Sequence, residues 1–225
     1  MAWSLTDIQT QIASEIDGNA TISTSSADWG SRIIPINRAI RDWSESYDWS
    51  ALLKVHNGRI STSTGNASYA LPSDFKKLDG FPRIMSDGTN AYDFPAVDPS
   101  KNLNYTSSDK FVNILGNDRD NRVMFIQSST LSSGASVQFT YYASPASLVS
   151  AYDLTECPDP TFVVQRSLYY LLKSREDGRF PEAKTESDRI LARMIENENT
   201  LGLSSVDRNI PTSGTKFPYF RIGRD

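Results

Sequence analysis

Residues 29–53, WGSRIIPINRAIRDWSESYDWSALL, carry apolar side chains at the spacing of a single helix face. Ile33, Ile36, Ile40, Trp43 and Tyr47 follow one another at alternating steps of three and four, which forms a helical stripe and fits no strand. Pro35 suits a first helical turn, where its missing N–H is not needed, and it disfavours helical angles at Ile34. The spacing therefore predicts regular helix from about Pro35. The stripe ends in Trp43, Tyr47 and Trp49, side chains that bury large areas. From Leu53 and Val55 the period drops to two, so a β segment is expected to leave from the end of this helix.

A shorter helix precedes it. Ser4 and Asp7 have the spacing of a capping box, with Asp in place of Glu. Leu5, Ile8, Ile12 and Ile16 form the stripe, and Gly18 ends it. Residues 53–142 read as short strands separated by turns. These are a returning pair around Gly65-Asn66, a strand over residues 76–85 interrupted by Gly80 and Pro82, and a turn at Asp87-Gly88. Residues 93–106 read as a long loop, and residues 110–115 and 122–127 as a hairpin. Residues 135–142 alternate, with Val137, Phe139 and Tyr141 on one face. Helix then returns. Asp159 and Pro160 suit a cap and a first position, Gly178 marks a break, a second helix starts near Pro181, and Gly202 suits its end. The expected fold is α+β: a four-helix-type bundle made by the N- and C-terminal helices, with an inserted antiparallel sandwich or barrel-like lobe. The expected divisions are residues 1–52, 53–145, 146–203 and an extended tail over 204–225.

The composition removes most chemistry. The chain of 225 residues has one histidine and one cysteine and a net charge of −4, so metal sites built on histidine lack ligands and no global charge attracts nucleic acid. His56 reads as a surface residue, and Cys157 as a buried or idle thiol. No phosphate-loop, dinucleotide or nucleophile-elbow motif occurs. Asp153, Glu156 and Asp159 read as solvated or capping acids, although acids distant in sequence could still meet as a catalytic pair. No cofactor is expected. No apolar run approaches the ~20 residues of a membrane helix, and MAWSLTDIQTQ does not read as a secretory leader.

The C-terminal stretch is unlike the rest. Lys216, Phe217, Pro218, Tyr219, Phe220 and Arg221 place aromatic and cationic side chains in a segment without helical period. Aromatics and Arg are what interfaces favour, so docking on a partner or a neighbouring subunit is the sharper reading, and docking on its own domain the plainer one.

Four segments in order, INRAIRDW, YALPSDFKKLDG, FTYYASPASL and SLYYLLKSREDGRFPEA, resemble the head-to-tail connector (adaptor) proteins of tailed bacteriophages. The resemblance covers most of residues 1–202 and carries no catalytic signature. It implies a virion structural protein of the neck, assembled as a twelve-fold ring beneath the portal. Such a ring extends the DNA channel without sequence-specific binding and offers a platform to the tail or stopper protein. It also implies a C-terminal extension that docks on the portal or a neighbour. A ring needs unlike faces on each subunit. Trp3, Trp29, Trp43 and Trp49 are therefore candidates for subunit contact, with core packing as the even alternative. Other readings are a stopper or tail-completion protein, a virion-associated cell-wall hydrolase and a cellular binding module.

Overall fold

In the computed structural model, residues 2–18, 22–60, 67–85, 91–98, 100, 109–116, 122–128, 131 and 134–203 are described, the last three of them by backbone only. Among these residues the chain is α+β, with four helices and two antiparallel sheets, and the sheets do not close into a barrel. Helix α1 (Leu5–Asp17) starts as its sequence dictates: Asp7 N–H donates to Ser4 Oγ, and the Asp7 carboxylate accepts from Ser4 N–H. Gly18 ends it at φ 68°, a left-handed conformation natural to glycine.

Helix α2 (Ala27–Ser46) begins eight residues before Pro35, so the expected start is corrected. Ser26 caps it by accepting from Trp29 N–H, and Trp29, Arg32 and Ile36 extend the buried face backwards through the proline. An interior proline costs about 3 kcal/mol, and burial of that face outweighs it. The helix has no glycine cap. Instead the Trp43 carbonyl accepts from Trp49 Nε1 and Ser46 Oγ, both at 2.7 Å, and the Ser44 carbonyl accepts from Lys76 Nζ. These carbonyls belong to the last turn, whose orphan acceptors need partners from outside the helix. A 3-10 turn, Ser50–Leu52, then leads into the sheets.

The larger sheet has the order β1-β7-β3-β4, from β1 (Leu53–Arg59), β7 (Ser136–Ala143), β3 (Phe75–Met85) and β4 (Ala91–Asp93). The smaller has the order β2-β6-β5, from β2 (Ala67–Ala70), β6 (Val123–Gln127) and β5 (Phe111–Leu115). The β5–β6 hairpin and the inward face of Val137, Phe139 and Tyr141 match the sequence reading. The returning pair around Gly65-Asn66 does not. β1 pairs with β7 and β2 with β6, so the two runs belong to different sheets. They meet face to face instead, with Tyr69 packed so closely over Gly58 that a Cβ there would lie 1.8 Å from the Tyr69 hydroxyl oxygen. The β3 register shifts between Asp79 and Arg83, which absorbs Gly80 (φ 79°) and Pro82 without ending the strand.

Helix α3 (Pro160–Ser174) is capped by Asp159, which accepts from Thr161 N–H. Helix α4 (Phe180–Leu203) runs on through Gly202, which is therefore not its cap. Between them Glu176, not Gly178, takes the left-handed conformation, at φ 55°. Asp177 N–H returns to the Leu172 carbonyl and closes the α3 terminus. All four helices contribute to one apolar cluster that includes Leu5, Ile36, Trp43, Phe162, Leu168 and Ile190. Both sheets share a second, around Phe75, Met124, Ile126, Phe139 and Tyr141.

Asp74, in the turn before β3, ties β1 and β7 of the larger sheet together. It accepts from Lys54 at 2.9 Å and from the Tyr141 hydroxyl at 2.9 Å, while its carbonyl accepts from Ser144 N–H. Burial alone would raise its carboxyl, but the bonds from Lys54 and Tyr141 outweigh that and hold it below its usual 3.8. Burial and the Asp74 carboxylate push the Tyr141 phenol up to about 12. A carboxylate whose folded pKa lies below its unfolded one contributes stability above the unfolded value and loses it as pH falls through the folded value. Thermal melts should therefore drop as pH is taken below 3.8, and Asp74→Asn should make that acid limb shallower. An unchanged limb in the variant would remove Asp74 from the account.

Candidate interaction surfaces

Among the described residues no cluster of His, Cys, Asp or Glu could hold a metal, and no helix is long and apolar enough to cross a membrane. His56 is not a free surface residue. It is half-buried on the inward side of β1, with Nε2 2.7 Å from the Tyr69 hydroxyl and its ring 5.1 Å from that of Phe139. Cys157 is buried, which pushes its thiol up to about 12 and keeps it protonated. The three acids singled out by sequence are occupied structurally. Asp153 accepts from Val149 and Ser150 N–H, Glu156 from Ala146 N–H, and Asp159 caps α3 and pairs with Arg193 at 2.7 Å.

The tryptophans sit in and against the helical core. Trp43 and Trp49 are buried and stacked at 5.5 Å, Trp29 is buried near the opposite end of α2, and Trp3 is half-buried against the same cluster. In this conformation only Trp3 retains surface to offer a neighbour. Lys216, Phe217, Pro218, Tyr219, Phe220 and Arg221 lie outside the described residues.

Exposed apolar side chains gather elsewhere. The segment from Leu148 to Cys157 crosses the N-terminal end of α1 and turns Leu148, Thr155 and Cys157 inward. Val149, Tyr152 and Leu154 point outward, at 69, 87 and 59% exposure. The crossing is built into the fold. The first two N–H groups of α1, those of Leu5 and Thr6, donate to the carbonyls of Asp153 and Ala151 at 2.9 and 3.1 Å. Thr155 N–H donates to the Trp3 carbonyl, and Asn37 on α2 bonds Leu148 through both its amide atoms. Helix-end donors that water would otherwise satisfy thus hold the loop as a rigid shelf.

A second surface lies where α2 meets the sheets. A cleft of about 190 Å³ is lined by Arg41, Lys76 and Arg122 together with Asn37, Ser44 and Glu45. Among the described residues none of the three cations forms an ion pair with a carboxylate. Lys76 and Arg122 donate to backbone carbonyls instead, and burial pushes the Lys76 ammonium below its usual 10.5 against the upward pull of Asp48 and Glu45. Sequence reading found no basic block, because Arg41, Lys76 and Arg122 are far apart in the chain. No signal in the sequence could have found this cleft.

The comparisons decide the family. The family model described as SU10 adaptor protein matches residues 3–208, which is all but the two ends of the chain. The chain belongs to the SU10 adaptor protein family. The family is one of phage head-to-tail adaptors, as the four quoted segments suggested, and the match spans all four helices and both sheets. Comparison with curated proteins gave no match.

Proposed function

We propose that this adaptor assembles as a ring, twelve-fold in the arrangement its resemblance implies, beneath the portal in the virion neck. The ring extends the channel through which DNA passes without sequence-specific contact, and its lower face receives the tail or stopper protein. The C-terminal tail docks on the portal or on a neighbouring subunit. The four helices act as one bundle that carries the ring, and the sheets form an inserted lobe, along the divisions 1–52, 53–145, 146–203 and 204–225. The family match over residues 3–208 carries this reading. Two features support it. The net charge of −4 suits a wall that DNA must slide past, since strong phosphate contacts would hold it. The exposed Val149, Tyr152 and Leu154 on a hydrogen-bonded shelf suit an assembly surface.

Negative-stain microscopy of the purified protein mixed with portal-bearing particles of the same source tests the proposal. A collar below the portal is the expected result. Protein that stays monomeric and leaves those particles bare would overturn it.

A further inference from the structure

The shelf and the C-terminal segment are complementary in two independent ways. The first is chemical. The shelf presents Val149, Tyr152 and Leu154, and Ile34 lies one turn before the Asn37 that anchors it, itself 76% exposed. Its rim is acidic: Asp7 in the first turn of α1 and Asp153 and Glu156 within the segment, each held by backbone N–H groups. The nearby cation, Lys54, lies 3.9 Å from Glu156 but is bonded to Asp74 at 2.9 Å. Residues 216–221 carry the opposite pattern, Phe217, Tyr219 and Phe220 between Lys216 and Arg221. Overall, residues 204–225 hold Arg208, Lys216, Arg221 and Arg224 against Asp207 and Asp225, a net +2. The whole chain is −4, so the preceding 203 residues carry −6.

The second is reach. Helix α4 ends beside the C-terminal end of α2, where Tyr47 bonds Asn199 at 2.5 Å and Glu198 accepts from Ser50 N–H. The shelf is anchored at Asn37, about 15 Å back along α2 at 1.5 Å per residue. The 13 residues from Leu203 to Lys216 can span about 43 Å, so the tail is not confined to the shelf of its own chain. A closed ring needs a donor face and a different acceptor face on every subunit.

We propose that the shelf formed by Val149, Tyr152 and Leu154, with Asp7 and Asp153 at its rim, receives residues 216–221 of a second copy of this chain. The assignment rests on the ring reading above and gives that reading one defined contact. The three aromatics cover the exposed shelf, and Lys216 and Arg221 meet the acidic rim. Tyr152 is the anchor, being the most exposed of the three on a segment whose backbone is already fixed, so docking orders little that is not ordered beforehand.

The test uses full chains and a synthetic peptide of residues 212–225. A receptor chain carrying Phe217→Ala, Tyr219→Ala and Phe220→Ala has an intact shelf and no competing tail. By fluorescence anisotropy the peptide should bind it, and Tyr152→Asp in the same background should weaken binding at least tenfold. Leu154→Asp is the second variant. Both positions are exposed, so melting temperature should stay unchanged and separate lost docking from lost folding. Absence of binding, or binding indifferent to both substitutions, would overturn the proposal. So would a wild-type chain that is monomeric by light scattering yet refuses the peptide, because its own tail would then fill the shelf. Wild-type protein that forms the collar on portal-bearing particles while the peptide ignores the shelf would sink this inference and leave the adaptor reading standing.

Discussion

Trp43→Ala is expected to remove about 3–5 kcal/mol of stability, the range for deleting a large aromatic from a packed core. At roughly 2–4 °C per kcal/mol for a chain of this size, the melting temperature should fall by about 6–20 °C. The ring is fully buried at the end of α2, stacked on Trp49, and belongs to the cluster fed by all four helices. The Trp43 carbonyl is the acceptor for Trp49 Nε1, so the indole ring of one residue and the backbone of the same residue both hold Trp49 in place. The polar atoms sharpen the prediction. Trp43 Nε1 is buried with no hydrogen-bond partner among the described residues, whereas Trp49 Nε1 donates at 2.7 Å. Trp43→Phe therefore discards a costly unpaired donor along with some volume, and should cost less than Trp49→Phe, which discards a formed bond. Urea denaturation followed by circular dichroism measures all three. A loss below about 1 kcal/mol for Trp43→Ala would show that the two rings do not act as the keystone of the helical core.

The same pair shows what the sequence could and could not say. Period and caps are local properties, and they were legible: Ser4 with Asp7, Asp159 with Pro160, and the alternation through Val137, Phe139 and Tyr141 all stand in the structure. Where a local rule met a tertiary demand, the rule lost. Pro35 argued for a helix start, yet burial of Trp29 and Arg32 carries α2 through it. Gly178 was the obvious break, yet Glu176 takes the left-handed angle because Asp177 N–H finds the Leu172 carbonyl. Strand partnership was the least legible property. Nothing within β1 and β2 says that they pair with β7 and β6 instead of each other, because partnership depends on contacts far along the chain. The surfaces divide in the same way. The aromatic, basic tail could be singled out by composition. The shelf could not, since Val149, Tyr152 and Leu154 look like an ordinary loop until the N–H groups of Leu5 and Thr6 are seen to hold it. The basic cleft was invisible for the stronger reason that its three cations come from three separate elements.

Deleting residues 207–225 is expected to leave a folded protein that no longer joins portal-bearing particles. The folding half follows from where the cores lie. Among the described residues, the helical cluster reaches along α4 as far as Met194 and Ile195 and the cluster between the sheets as far as Ala143, so the truncation removes none of their named residues. Its melting temperature should stay within a few degrees of the full chain. The assembly half follows from what is lost. Phe217, Tyr219 and Phe220 are the types that dominate interface energy, and anchors of this kind cost at least about 2 kcal/mol each when truncated. The effects are not additive, but the loss of two anchors alone implies a weakening of about a thousandfold. Repeated at every subunit, that is enough to empty the collar at concentrations where the full chain fills it. Cosedimentation with portal-bearing particles, scored beside a melting curve of the same preparation, reads both halves together. Truncated protein that melts like the full chain and still decorates the particles would show that the tail is not the docking element. Attention would then pass to the shelf and to the cleft of Arg41, Lys76 and Arg122 as the contacts that hold the subunit in place.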